Sequence, residues 1–551
     1  MNERIEDHQH FLKLVLVHPP ALGMEALSGY LAFMSEQTGD TGQHDKTPSQ
    51  TGGESERGGA SGSSHTPPTG ATTDHRFETE ETEAFGYRAY ADWLVLHDEN
   101  DKPSAELFYV AYTRHDTEAA QRAVTFVLNG GPGAAAVYLH MGAMGPCRAV
   151  FDAEGRPPAP PAQLETNPES WLPFTDLVFI DPVGTGWSRT VKDARKDGQE
   201  QGQDASSKEA FYEIGKDLDA ICEFVTLWLS RYGRWRSPVY FAGESYGGFR
   251  VAKISRKLQE SYGVGLNGIF LVSPVFEFKE LMPTDYDALG YVDRLPSMAA
   301  AAHYHGRNRE PGGDAGLDEA LASAESFALE DYALLLIQGR ALGEERATAI
   351  EARAARLIGL SDEELHRTEG RIDMARFARE LLRDERRVCG VHDASATLED
   401  PFPDRASQEG PDPALFTIDR VFAAAVNAHL RETLQVSTDR HYRLINFDVN
   451  QAWKRERDRH GLDARIGATD DLRYGMALNP YMAVDIVHGV YDLVTPYMAS
   501  QRLAQLMKLT ASQKERLELT NLNGGHMFYL RGDARSRLAA LGRRRIEPGS
   551  S

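Results

Sequence analysis

Ser245 sits in Gly243-Glu244-Ser245-Tyr246-Gly247, between the apolar run Val239-Tyr240-Phe241-Ala242 and the helix-like Gly248-Phe249-Arg250-Val251-Ala252-Lys253-Ile254. A Gly-x-Ser-x-Gly turn from strand to helix holds the serine hydroxyl out at the top of a sheet, and its small flanking residues permit the sharp bend. The chemistry on offer is nucleophilic attack on an acyl carbon. A serine hydroxyl is a weak nucleophile at neutral pH, so it needs a base and a third group to orient that base. In sheet-based serine hydrolases these follow in the order acid, then histidine. His526, in Asn523-Gly524-Gly525-His526-Met527 after the strand-like 516–520, fits the base. Asp492, on the loop after the strand-like 482–487, fits the acid. Asp485 competes but lies inside that run, and His488 precedes the acid and breaks the order.

A second element is Asn129-Gly130-Gly131-Pro132-Gly133, directly after the apolar run Val124–Leu128. Acyl transfer needs two N–H donors aimed at the developing oxyanion. One is expected from Tyr246, the residue after the nucleophile, and the other from the glycine turn, by position Gly131. The turn lacks the Gly-Lys-Ser/Thr ending of a phosphate loop, and Gly184-Thr185-Gly186 is no full dinucleotide fingerprint. No cofactor is expected.

These residues need a frame. Residues 91–96 and 105–112 pattern as a strand pair around Asp98-Glu99-Asn100-Asp101. Short apolar runs at 124–128, 177–180, 266–272 and 482–487 are of buried-strand type. Phe211, Ile214, Leu218, Ile221, Val225 and Leu229 recur at helical spacing just before the strand that leads to Ser245. Strands alternating with helices predict an α/β fold with a mostly parallel central sheet covered on both faces. From about 300 to 435 the alternation stops, and Ala, Arg, Glu and Leu at helical spacing predict helices with no buried strand. The expected organisation is a core over 81–276 and 441–546, interrupted by a mainly helical cap over 277–440. Residues 37–80, rich in Gly, Ser, Thr and Pro without apolar periodicity, are expected to be a disordered linker. Residues 1–36 precede it with no role assigned.

A net charge of −22 over 551 residues argues against nucleic-acid binding and against anionic membranes. No apolar stretch is long enough to span a bilayer. Cys147, Cys222 and Cys389 are odd in number, far apart and without a Cys-x-x-Cys pair, so neither a metal site nor a disulfide framework is expected. Glu3, Glu6 and Asp7 stand where a secretory signal would be basic, and the run 11–17 is short and broken by Lys13. The expectation is a cytoplasmic protein, with export as the alternative. A homodimer is compatible with the sequence.

Taken jointly, Asn129–Gly133, Asn167-Pro168-Glu169-Ser170-Trp171, Asp181-Pro182-Val183-Gly184-Thr185-Gly186-Trp187-Ser188, Gly243–Gly248, Asp492 and Gly525-His526-Met527 resemble the serine carboxypeptidase family of the α/β-hydrolase superfamily. The resemblance runs in the family's order from about residue 84 to 530. It implies a helical cap, a peptide substrate with a free C-terminus, and binding of that terminal carboxylate by Asn129 and Glu244. The physics is coherent, because a carboxyl beside a carboxylate can hydrogen-bond only if one of the two keeps a proton, as a buried Glu244 would. Two departures stand out. Ala134-Ala135-Ala136 replaces the usual Cys-Ser-Ser after the glycine turn, which removes a family disulfide. Ala143 stands where many members have a second glutamate. Two other readings stay open at this stage: an acyltransferase or esterase using the same triad, and a non-catalytic binding module.

Overall fold

The computed structural model describes residues 65–118, 120–192, 211–311, 316–405, 408–453 and 466–547. The segment 1–36 and most of the linker expectation lie outside these residues.

A ten-stranded sheet organises the molecule. We number its main strands β1 (Ala71–Phe77), β2 (Phe85–His97), β3 (Pro103–Arg114), β4 (Val124–Leu128), β5 (Asp176–Ile180), β6 (Val239–Glu244), β7 (Gly268–Val272), β8 (Ala483–Gly489) and β9 (Leu517–Leu522). They run in the order β1-β2-β3-β5-β4-β6-β7-β8-β9, with Arg189–Thr190 paired to β3. The pairs from β5 through β9 are parallel, and β1, β2 and β3 add an antiparallel edge. This is the mostly parallel sheet expected of an α/β-hydrolase. β4, β5, β6 and β7 are buried at every position because both faces are covered, which is why they read as continuous apolar runs.

Alternate residues of these strands feed two cores. Val124, Phe126, Val178, Ile180 and Phe241 face the helices α1 (Ile214–Arg231) and α2 (Tyr246–Ser261). Val127, Phe179, Tyr240 and Ala242 face the opposite core. A third core belongs to the helical middle, with α3 (Leu289–Tyr304) and α4 (Glu344–Ile358) contributing Leu295, Ala299 and Ile350. Val490, Tyr491 and Leu493 of the loop after β8 join this third core, so the insertion packs directly on the loop that carries Asp492.

Three expectations need correction. Ala71–Phe77, placed in the linker by composition, is the edge strand β1. It pairs with β2 alone and buries only Phe77, against Phe85, so its Thr, Asp, His and Arg residues suit a solvent-facing edge and hide the strand from a composition test. The middle third does contain strands, in the small hairpin Arg387–Cys389 with Thr397–Glu399, too short to leave a period-2 signal. Helix α5 (Pro413–Ala428), assigned to the cap by its place in the chain, packs through Ile418, Val421 and Phe422 into a core of the sheet itself. Helix α6 (Tyr497–Leu506) follows β8 and helix α7 (Gly532–Ile546) follows β9. All three cysteines are free thiols.

Candidate active site

The sheet brings the candidate residues to one edge. Asn129 follows β4, Ser245 follows β6, and Asp492 and His526 lie on the loops after β8 and β9. This carboxyl edge of parallel strands is where open α/β sheets gather their ligands.

Ser245 has φ 59° and ψ −123°, a backbone conformation that side-chain-bearing residues rarely adopt, at a cost of about 1–3 kcal/mol. Hydrogen bonds over-determine it: its N–H donates to Val272 O (2.9 Å), and its carbonyl accepts from Gly248 N (2.9 Å). Close packing leaves no room for side chains beside it. A Cβ on Gly243 would fall 2.3 Å from Gly247 O, and one on Gly247 2.8 Å from Asn129 O. The glycines of the motif are therefore required by contact as well as by turn geometry.

Asp492 and His526 are both buried. Their side chains meet at 2.6 Å, His526 Nδ1 donating to Asp492 Oδ2. The other Asp492 oxygen accepts from the backbone N–H groups of Val494 (2.8 Å) and Thr495 (3.0 Å), and the Thr495 hydroxyl donates to Oδ2 (2.6 Å). Burial alone would raise the Asp492 pKa, but His526 and these donors outweigh it and hold the carboxyl down at about 2. Burial opposes charge on His526 too, yet Asp492 and then Glu244 stabilise the imidazolium enough to leave its pKa above the ordinary histidine value. Ser273 ties the loops together: its hydroxyl donates to His526 O (2.8 Å), while its carbonyl lies 3.0 Å from Thr495 Oγ1. The rejected alternatives have other partners. Asp485 is paired twice with Arg545 of α7 at 2.7 Å, and His488 is bonded to Ser500 at 2.7 Å and kept neutral by burial.

The glycine turn lies against Ser245. A Cβ on Gly130 would come 2.7 Å from Ser245 Cβ and 2.8 Å from Tyr246 N. Gly131 has φ 101°, which only glycine adopts readily. The buried Arg250 of α2 anchors the turn, donating to Asn129 O (3.1 Å) while it grips Asp217 of α1 at 2.7 and 3.0 Å. The remaining motifs act as scaffold. Asn167 Nδ2 donates to Ala143 O and Gly145 O, and Asp181 Oδ1 accepts from Ala136 N.

Glu244 is buried beside Ser245. Its Oε2 accepts from Asn129 Nδ2 at 3.0 Å and from the Tyr529 hydroxyl at 2.5 Å. Burial lifts its pKa to about 7 against the opposing pull of His526, Tyr529 and Asn129. Asn129 is itself fixed, because its Oδ1 accepts from Leu139 N at 3.1 Å.

Sequence reasoning missed Thr495, Tyr529 and the loop 391–394. That loop comes from the insertion and bonds to the loops of both Asp492 and His526: Leu493 N donates to Val391 O (3.0 Å), Ala394 N to Tyr491 O (3.0 Å) and His526 N to His392 O (2.6 Å). Among the described residues, no group of three or more His, Cys, Asp or Glu side chains could hold a metal ion.

Comparison with known proteins bears on this site. Residues 80–304 match the family described as serine carboxypeptidase. Serine carboxypeptidase-like 44 of Arabidopsis thaliana is 26% identical over 215 residues, 36% of this chain and 39% of that protein. The pheromone-processing carboxypeptidase of Yarrowia lipolytica is 28% identical over 177 residues, 31% of this chain and 25% of that protein. The chain thus spans well under half the length of these curated relatives. Among solved structures, a prohormone-processing carboxypeptidase from Saccharomyces cerevisiae superposes with a TM-score of 0.49 at 15% identity, covering 83% of this chain and 90% of that one.

Proposed function

We infer, for a chain whose residues 80–304 match the serine carboxypeptidase family, that the protein is a serine-type carboxypeptidase releasing C-terminal residues from peptides. The observation that carries this reading is Glu244, a buried carboxyl next to the nucleophile that keeps its proton up to about pH 7. A general esterase has no use for an acid there. A peptide's terminal carboxylate does, because a protonated Glu244 can donate to it while Asn129 holds the pair.

The reaction follows from the triad. Ser245 Oγ attacks the scissile carbonyl as His526 Nε2 takes its proton, and the N–H groups of Tyr246 and Gly131 receive the oxyanion. The C–N bond then breaks. His526 returns the proton to the departing amine, which leaves as a free amino acid, and an acyl-enzyme on Ser245 remains. Water attacks that ester with His526 again as base, releasing the shortened peptide and restoring the serine.

N-blocked dipeptides and their C-terminal amides provide the test, with Ser245→Ala as the blank. Hydrolysis of the free acid in strong preference to the amide is expected. Equal turnover of both would remove the carboxylate-binding role and point to a less selective acyl hydrolase.

The pH dependence follows from two opposite requirements. His526 must be neutral to act as base, and its raised pKa cuts activity on the acid side. Glu244 must be protonated to receive a carboxylate, so activity on free acids falls as pH rises through about 7. The expected kcat/KM profile is a narrow bell. Glu244→Gln, which keeps a donor at every pH, should flatten the alkaline limb, and an unchanged limb in that variant would exclude Glu244 from the role.

A further inference from the structure

We propose that Tyr529 stands in for the second acid that Ala143 lacks: its phenol and Asn129 occupy one oxygen of Glu244, leaving the other to present the proton to the peptide's terminal carboxylate. The proposal rests on the carboxylate-binding reading above and assigns a positioning residue to it.

Three observations carry it. The first is the hydrogen bond itself, Tyr529 hydroxyl to Glu244 Oε2 at 2.5 Å, between two buried groups. Asn129 Nδ2 donates to the same oxygen at 3.0 Å. A carboxyl whose Oε2 already accepts twice carries its proton on Oε1, so the two donors select which oxygen can donate outward. The second is room. A Cβ on Gly142 would meet Tyr529 Cε2 at 2.9 Å, so the glycine at 142 leaves room for the phenol ring. The third is position. Tyr529 lies three residues after His526 on the short helical turn Phe528–Leu530, so one segment supplies the base and the partner of Glu244.

The substitution changes what titrates. Two carboxyls sharing a proton titrate as a pair. A buried phenol stays protonated far beyond the working range, so here Glu244 titrates against a constant donor. The charged and titratable groups facing Glu244 are His526 and Asp492 on the catalytic loops, Tyr529, and Tyr138, whose hydroxyl donates to Asp419 of α5 at 2.7 Å. His526 and Asp492 have each other, and Asp419 has Tyr138. Apart from the uncharged Asn129, Tyr529 is therefore the side chain whose removal takes a hydrogen bond from Glu244 directly.

The test is Tyr529→Phe, which keeps the ring and removes the donor. Losing a donor to the carboxylate favours the protonated form, so the alkaline limb of kcat/KM on a free-acid dipeptide should move up by about one pH unit. KM should rise several-fold more than kcat falls, because Glu244 loses its fixed orientation. The infrared carbonyl band of protonated Glu244, read as wild type minus Glu244→Gln, should titrate at a correspondingly higher pH. In the Glu244→Gln background, Tyr529→Phe should move no limb. An infrared midpoint that stays put or falls in Tyr529→Phe overturns the proposal, and this readout needs no turnover. If the midpoint moves but wild type hydrolyses acids and amides alike, the Tyr529–Glu244 pairing stands and the carboxylate-binding reading beneath it fails.

Discussion

Replacing Asp492 with asparagine should lower kcat by about 10⁴-fold, the cost of the wrong imidazole tautomer in a triad of this kind, while the protein stays folded. Asp492 Oδ2 accepts a hydrogen bond from His526 Nδ1 at 2.6 Å, which in the proposed mechanism leaves Nε2 free to take the serine proton. Its Oδ1 accepts from Val494 N and Thr495 N. An asparagine oxygen satisfies those two backbone donors best, so the amide nitrogen turns toward His526 and Thr495. It then donates to Nδ1, the ring proton moves to Nε2, and the base is blocked. Near-unchanged thermal melting with turnover reduced to that extent is the expected result on an N-blocked dipeptide. Turnover within tenfold of wild type would mean that Asp492 does not orient the base.

Gly130→Ala is the second large effect. Its Cβ would lie 2.7 Å from Ser245 Cβ, 2.8 Å from Tyr246 N and 2.9 Å from Glu244 O. None of these is the far end of a flexible side chain, so the glycine turn or the elbow must shift. In the proposed mechanism both carry an oxyanion donor, and losing one such donor costs about 10²–10³ in kcat. Overpacking of this kind also destabilises by about 1–3 kcal/mol. Gly265→Ala is the matched control, because no atom lies within 4 Å of its Cβ. Melting temperature and kcat should both fall in the first variant and neither in the second. Wild-type values for Gly130→Ala would place the turn farther from the nucleophile than the contacts require.

The parts legible in the sequence are those whose signal is local. β4 was read at its full extent because a strand buried on both faces must be apolar at every position. The placement of Ser245, Asp492 and His526 after strands is legible because each lies in a glycine-marked or ordered context at the end of an apolar run. Thr495 left a faint local trace, since an aspartate three residues before a threonine is a turn pattern in which side chains cap backbone N–H groups. Tyr529 left none. Its bond to Glu244 joins residues 285 apart, and nothing in the composition around Phe528–Leu530 distinguishes a phenol aimed at a carboxyl from a core tyrosine. Helix α5 failed for a similar reason: its apolar stripe says that one face is covered but not whether sheet or cap covers it.

The backbone bonds between the loop 391–394 and the two catalytic loops have a consequence for the order of events in a newly made chain. The nucleophile and its strand precede the insertion, whereas Asp492 and His526 follow it. Until residues 391–394 have docked, the loops bearing the acid and the base lack three of the backbone hydrogen bonds that fix them. The Asp492–His526 pair therefore has its full backbone support only once the segment between Ser245 and Asp492 has folded. A chain in which residues 391–394 have not docked carries Ser245 without a fixed Asp492–His526 pair.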